Sequence, residues 1–179
     1  MRFSLFMQPV HALGENPTLA LERDLESIEW WDALGYDEVF IGEHHSSGWE
    51  TIASPAIMIA AAAARTKRIM LGSGVVPLGL HHPLYVADEY VLLDHLTRGR
   101  VILGVGAGGG IPSDPYVVGV EASELQPRFA AAFDAMMRLF ESTEPFSVET
   151  EWFRLREAVL QLRPYTSPSL PLAVVTGKN

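Results

Sequence analysis

Three consecutive stretches of the sequence decide the fold: residues 69–76 read IMLGSGVV, residues 83–96 read PLYVADEYVLLDHL, and residues 101–105 read VILGV. The first and third are short apolar runs, as expected of strands buried on both faces. The middle stretch has apolar residues at helical spacing and begins with a proline, which suits a position where a helix needs no N–H donor. A strand, a helix and a strand in this order predict a parallel βαβ unit.

The same alternation extends in both directions along the chain. Further strands are predicted over residues 3–6, 38–41 and 172–175, and further helices over residues 16–34, 55–64 and 125–140, while residues 149–162 fit an irregular excursion or a hairpin. A spacing of about 30 to 40 residues per strand and helix occurs in doubly wound sheets and in (β/α) barrels. The spacing alone leaves both folds open.

Composition excludes several classes of protein. The chain of 179 residues is 48% hydrophobic and 20% charged, which indicates one ordered domain over residues 1–179. A formal net charge of −9 offers no basic surface for nucleic acid or an anionic membrane. Without cysteine, a disulfide scaffold, a thiolate metal site and a cysteine nucleophile are excluded. No stretch reads as a transmembrane span or a signal peptide, so we expect a cytoplasmic protein.

The loop after the second predicted strand carries Glu43, His44 and His45. In parallel α/β folds, the loops at the carboxyl ends of the strands meet at one opening, where active sites lie. Because neighbours in extended chain point in opposite directions, only one histidine can easily face this opening, and one metal ion bound by both is not expected. The motif is therefore a candidate for acid–base chemistry; the alternative is a hydrogen-bonded structural histidine, with Glu43 satisfying backbone groups.

The end of the third predicted strand carries glycines and leads to a second histidine pair, His81 and His82. Gly74 would allow a flat ligand to approach the backbone closely. An ordinary turn with loop histidines is the alternative.

The segment after the fourth predicted strand contains a glycine pattern. Gly104, Gly106 and Gly109 match G-x-G-x-x-G, but a dinucleotide site needs a helix that begins at once. Residues 111–115, which read IPSDP, argue against such a helix. We therefore expect a flexible loop at the rim of a barrel mouth.

Taken in order, these loops resemble the bacterial-luciferase-like flavin-dependent monooxygenase superfamily, and within it the limonene- and alkanal-monooxygenase-like branch. The matching stretches are residues 43–45 (EHH), 82–94 (HPLYVADEYVLLD), 96–106 (LTRGRVILGVG), 113–116 (SDPY), 126–129 (QPRF) and 160–165 (LQLRPY). The resemblance implies an α/β fold of the (β/α)8 TIM-barrel type. A complete barrel needs ~250 residues, so only about the first five β/α units are present, either as a fragment or as a shortened relative.

The resemblance also implies a cofactor and an acid–base group. Reduced FMN, or a deazaflavin in sister enzymes, would lie across the mouth of the barrel. By the family pattern, His44 stands near the flavin and the substrate as the acid or base. Glu43 and His45 would orient His44 or its loop, and no metal is implied.

The cofactor-binding residues implied by the family are mainly backbone positions. Gly74 and Val75 correspond to a non-proline cis peptide beneath the flavin ring, and Gly106, Ala107 and Gly108 line the site from the fourth strand. Luciferases carry an arginine for the FMN phosphate where this chain has Ala107. Contacts to the phosphate must then come from backbone groups or from later loops.

The function implied is a monooxygenase that uses reduced FMN and O2 on a small apolar substrate such as an aldehyde or a terpene. A separate flavin reductase would supply the reduced FMN, and helices beginning at Pro55 and Pro83 would form a homodimer. The alternatives are a deazaflavin-dependent hydride-transfer oxidoreductase and a truncated, non-catalytic flavin-binding protein.

Overall fold

The computed structural model describes residues 1–175, so residues 176–179 of the predicted domain lie outside the described part. The helices are α1 (Pro17–Leu34), α2 (Pro55–Arg65), α3 (Pro83–Thr97), α4 (Ser113–Val117) and α5 (Leu125–Glu141). The strands are β1 (Ser4–Met7), β2 (Glu38–Ile41), β3 (Met70–Ser73), β4 (Val76–Pro77), β5 (Val101–Gly106), β6 (Phe146–Glu149), β7 (Arg154–Ala158) and β8 (Leu172–Val174). Among these residues, no helix combines the length and the apolar character that crossing a bilayer requires.

The strands of the main sheet lie side by side in chain order. β1 pairs with β2, β2 with β3, β3 and β4 with β5, and β5 with β8, and every pair is parallel. A doubly wound sheet reverses its strand order at a switch point, whereas a barrel does not. The sheet is therefore the first part of a (β/α)8 barrel, and the predicted incomplete barrel is confirmed.

The single strand predicted over residues 69–76 is wrong in one respect, because it breaks at Gly74 and Val75 into β3 and β4. Residues 72–76 lie opposite residues 102–105 of β5, so the broken strand has one residue more than its partner. The peptide bond between Gly74 and Val75 is cis, as the resemblance implies. An extra residue of this kind bends a strand and re-aims the side chains beside it.

Gly104 serves strand packing, in agreement with the expectation that the glycine pattern is not a dinucleotide site. The Ser73 hydroxyl donates to the carbonyl oxygen of Gly104 and accepts from its N–H, both at 2.9 Å. A Cβ on residue 104 would lie 1.9 Å from the Ser73 carbonyl oxygen. The close approach of β3 and β5 thus requires glycine at this position.

Two loop predictions have different outcomes. The hairpin alternative for residues 149–162 is confirmed, although its first strand, β6, begins earlier, at Phe146. Residues 111–115 were expected to prevent a helix directly after the glycines; residues 107–112 are non-helical, but a five-residue helix, α4, begins at Ser113 within this stretch. Pro115 falls in the first turn of α4, where backbone N–H groups have no partner within the helix and proline is tolerated.

Candidate functional site

A cavity of about 320 Å³ opens where β2, β4 and β5 end. It is lined by Glu43, His44, Gly74, Val75, Pro77, Gly106, Ala107, Gly108, Gly109, Gly110, Asp114, Gln126 and Val175. All the predicted site residues except His45 are among them. The strand order brings them together, because Val76 and Pro77 of β4 pair with Val105 and Gly106 of β5.

Much of the cavity wall is glycine backbone. A Cβ on residue 106 would lie 3.0 Å from Cγ2 of Val75, and a Cβ on residue 108 would lie 2.9 Å from Cβ of Pro77. Gly108 also has a φ of +85°, which favours glycine. Ala107 packs with Val120 and Leu125 in a small apolar cluster. The wall between β4 and the glycine segment is therefore suited to the close approach of a flat group.

His44 lies at the cavity wall between two buried carboxylates. Its Nε2 is 2.7 Å from Oε2 of Glu50, and its Nδ1 is 2.9 Å from Oδ2 of Asp114. The Glu50 and Asp114 side chains are 1% and 5% exposed, against 21% for His44. The sequence reasoning missed both carboxylates. For Asp114 a signal existed, since it lies in the SDPY stretch that carries the family resemblance, but nothing marked Glu50.

Glu43, which also lines the cavity, forms a second cluster with His45 and His81. Its Oε1 accepts hydrogen bonds from Nε2 of His81 at 2.5 Å and from Nε2 of His45 at 3.0 Å. The backbone N–H of His45 donates to Oδ1 of Asp114 at 2.8 Å. Glu43 therefore contacts His45 and His81, while Glu50 and Asp114 contact His44. As expected, one histidine of the pair lines the cavity and the other turns away.

The same cluster has the composition of a metal site. Glu43, His45 and His81 offer a carboxylate oxygen and two imidazole nitrogens that lie within 4.8 Å of one another. Two imidazoles and one carboxylate can bind a transition metal. The hydrogen bonds already satisfy the buried Glu43 oxygen without an ion, so the cluster needs no metal to be stable.

The contact between His81 and Glu43 makes stability depend on pH. Burial lowers the pKa of His81, but the hydrogen bond to Glu43 and the charges of Glu43 and Glu89 outweigh it, so the pKa is raised above its ordinary value. A raised pKa in the folded state stabilises the protein below the ordinary value of about 6.5, and this contribution is lost as pH rises through the folded pKa. We expect His81→Gln to lower the melting temperature more at about pH 5.5 than at about pH 8.5.

Thermal denaturation at the two pH values measures this difference. His95→Gln is the control, because the His95 imidazole contacts the backbone carbonyl oxygen of Arg163 at 2.9 Å and no carboxylate is involved. If His81→Gln lowers the melting temperature equally at both pH values, the assigned contact with Glu43 is contradicted.

A larger cleft lies elsewhere and lacks comparable chemistry. It measures about 780 Å³ and runs between α5 and residues 163–172. Its one cationic side chain, Arg163, already donates to the carbonyl oxygens of Phe140 and Ser142 at 2.7 and 2.6 Å. We therefore place the candidate site in the smaller cavity, where His44, Glu43 and Asp114 meet the glycine wall.

Comparison with known proteins gives close relatives over almost the whole chain. The family model of luciferase-like monooxygenases matches residues 1–178. The chain is 53% identical over 172 residues to 4-hydroxyprotoasukamycin monooxygenase of Streptomyces nodosus subsp. asukaensis. This alignment covers 96% of this chain and 46% of that protein. It is 43% identical over 165 residues to limonene 1,2-monooxygenase of Rhodococcus erythropolis, and this alignment covers 92% of this chain and 42% of that protein. The chain spans less than half the length of these curated relatives.

A solved structure shows the same architecture. The oxygenating constituent of 3,6-diketocamphane monooxygenase from Pseudomonas putida, a type II Baeyer–Villiger monooxygenase in complex with FMN, matches with a TM-score of 0.87 and 26% sequence identity. The match covers 97% of this chain and 51% of that chain. Motifs, strand order and relatives agree, and the chain belongs to the luciferase-like monooxygenase family.

Proposed function

We propose that the protein is a flavin-dependent monooxygenase that uses reduced FMN and O2 on a small apolar substrate such as an aldehyde or a terpene. The observation that carries the proposal is the cavity at the strand ends, where His44, Val75 and Gly106 surround one space. The relatives support it, since two are monooxygenases by name and the solved structure contains FMN.

The residues present fit the ring of a flavin. The cavity volume of about 320 Å³ lies within the range of small-molecule sites, which begins at roughly 300 Å³. Glycine backbone gives the ring a flat wall, and Gln126, His44 and Asp114 offer polar groups for its edge. The described lining contains no lysine or arginine, so the fit concerns the ring and not the phosphate.

The side chains around the cavity have two tasks. When bound, the reduced flavin supplies the electrons that activate O2. Val75, Pro77 and Val175 form an apolar part of the wall, which excludes water and favours an apolar substrate. His44 holds a proton at the wall, between Glu50 and Asp114.

The proposed partners follow from this chemistry. They are the apolar substrate, O2, a separate flavin reductase and a second copy of the chain. Exposed apolar side chains on α2 and α3, namely Ile57, Tyr85 and Leu92, support the homodimer.

The test is formation of an oxygenated product by the protein with reduced FMN from an added reductase, when apolar aldehydes or limonene are supplied. We expect the substrate to be oxygenated, and His44→Ala should lower the rate of product formation by roughly 10²–10⁴-fold. His95→Ala, which lies outside the cavity, should keep the wild-type rate.

Three outcomes would contradict the proposal. Consumption of O2 with hydrogen peroxide as its only product would mean that no oxygen reaches the substrate. Flavin binding without turnover would select a non-catalytic flavoprotein. A bound cofactor that absorbs at shorter wavelength than FMN would select a deazaflavin and hydride transfer.

A further inference from the structure

A further cavity, the hairpin cavity, is bounded by the first turns of α5, the turn of the β6–β7 hairpin and the short 3₁₀ turn Leu78–Leu80. Its volume is about 140 Å³, and Arg128 of α5 and Trp152 of the hairpin turn are among its lining residues. Among residues 1–175, it has no lining residue in common with the candidate flavin cavity, although Pro77 lines the flavin cavity and Leu78 lines this one. The two cavities are therefore neighbours with separate walls.

Two buried donors of the hairpin cavity lack an acceptor. Nε of Arg128 and Nε1 of Trp152 are both inaccessible to solvent, and within residues 1–175 neither has a hydrogen-bond partner. Guanidinium and indole nitrogens donate hydrogen bonds and accept none. The two groups lie close together, with Cζ of Arg128 5.8 Å from the centre of the Trp152 ring. Because a buried donor without an acceptor is costly, a ligand with two acceptor oxygens between them would stabilise both.

The positive charge of Arg128 is only loosely paired. Among residues 1–175, its ion pair is with Glu124, whose Oε1 lies 3.7 Å from Nη2 of Arg128, which is too far for a hydrogen bond. Oε2 of Glu124 accepts instead from the N–H of Glu121 at 3.0 Å. The described lining of the hairpin cavity contains no Asp or Glu. A cation and unpartnered donors without a carboxylate favour an anion in this space.

The volume of the hairpin cavity limits the size of this anion. A water molecule occupies roughly 30 Å³ of the liquid, so the cavity has room for about five non-hydrogen atoms. Phosphate and acetate are of this size, whereas a nucleotide or a flavin is too large. An arginine side chain binds the oxygens of carboxylates and phosphates by charge-assisted hydrogen bonds. The donors and the volume therefore both fit a small oxyanion.

We propose that the hairpin cavity is a binding site for a small oxyanion, of the size of phosphate or acetate, whose oxygens accept hydrogen bonds from Nε of Arg128 and Nε1 of Trp152. The bound anion joins the turn of the β6–β7 hairpin to α5 and so stabilises the folded state. His81 and His82 also line the cavity, but anion binding requires neither of them to be charged. The site is independent of the proposed function, because no flavin takes part in it.

The direct test is NMR of the indole N–H groups in ¹⁵N-labelled protein, titrated separately with sodium phosphate and sodium acetate while sodium chloride keeps the ionic strength constant. The Trp152 signal is identified by its absence in Trp152→Phe. We expect this signal to shift and to saturate at roughly millimolar concentrations of at least one oxyanion. The signals of Trp30 and Trp49, whose side chains are exposed, should stay in place. A Trp152 signal that saturates with neither oxyanion would overturn the proposal.

Two substitutions of equal charge separate a built site from general attraction. Arg128→Gln should weaken oxyanion binding at least about tenfold, because it removes both the charge and the buried Nε donor. Arg154→Gln removes the same charge from an exposed side chain of the same hairpin that pairs with Glu149, and the affinity should stay within about twofold of wild type. Equal losses of affinity in the two variants would overturn the proposal.

Thermal denaturation decides the matter if Arg128→Gln does not fold. The oxyanion that binds should raise the melting temperature of wild type, because it binds the folded state and not the unfolded chain. Trp152→Phe keeps the aromatic ring but lacks the N–H donor, so the same anion should raise its melting temperature less than half as much. An equal rise in wild type and Trp152→Phe would mean a general salt effect and would overturn the site.

Discussion

Gly104→Ala is expected to abolish the folded state, at a cost of more than about 3 kcal/mol. The added Cβ would lie 1.9 Å from the carbonyl oxygen of Ser73 and 3.1 Å from its carbonyl carbon. Because these atoms belong to the backbone of β3, no side-chain rotation can relieve the clash. Moving β5 away would break both hydrogen bonds of the buried Ser73 hydroxyl to Gly104. Soluble yield and the denaturant midpoint, followed by circular dichroism, measure the effect.

Gly110→Ala is the matched control in the same glycine segment. Its Cβ would meet nothing within 4 Å, and its φ does not lie in the left-handed region. We expect a change in the free energy of unfolding of less than about 0.5 kcal/mol. If Gly104→Ala has the stability of Gly110→Ala, the described approach of β3 and β5 is wrong.

Val75→Trp is expected to lower the affinity for FMN by at least about 100-fold, or roughly 2.7 kcal/mol. Val75 lies at the break between β3 and β4, it lines the cavity, and its Cγ2 faces Gly106. An indole at this position would fill space that the flavin ring needs. Because Val75 is only partly buried and lies at the cavity wall, the fold should survive the substitution. Quenching of FMN fluorescence on titration with protein measures the affinity.

Val75→Ala tests whether Val75→Trp loses affinity for FMN because the indole fills the cavity. It leaves the cavity open and should keep the affinity within a few-fold of wild type. Circular dichroism of both variants must match wild type for the comparison to hold. Wild-type affinity in Val75→Trp would mean that FMN binds elsewhere, for example in the larger cleft beside α5.

The sequence predicted the location of the candidate site because parallel topology alone determines it. Glu43, His44 and Gly106 follow predicted strands and Gly74 lies near the end of one, and parallel strands bring such positions to one opening. Periodicity therefore sufficed to place these residues around a common cavity, without knowledge of any side-chain contact. Spacing alone did not decide between a barrel and a doubly wound sheet; the family resemblance implied the barrel, and the strand order confirms it.

The partners of His44 could not be predicted in the same way. Glu50 lies in an irregular loop, where side-chain direction follows no period. Its position depends on the bridge to Val10, a contact between loops that leaves no local pattern in either sequence. Likewise, the break at Gly74 depends on the register with β5.

A crystal structure of the protein with bound FMN tests the location of the flavin most directly. We predict that the flavin ring lies in van der Waals contact with Val75 and Gly106, with the His44 imidazole at the wall of the same cavity. A flavin ring bound in the cleft beside Arg163, or anywhere else outside the space between β4 and the glycine segment, would contradict the assignment.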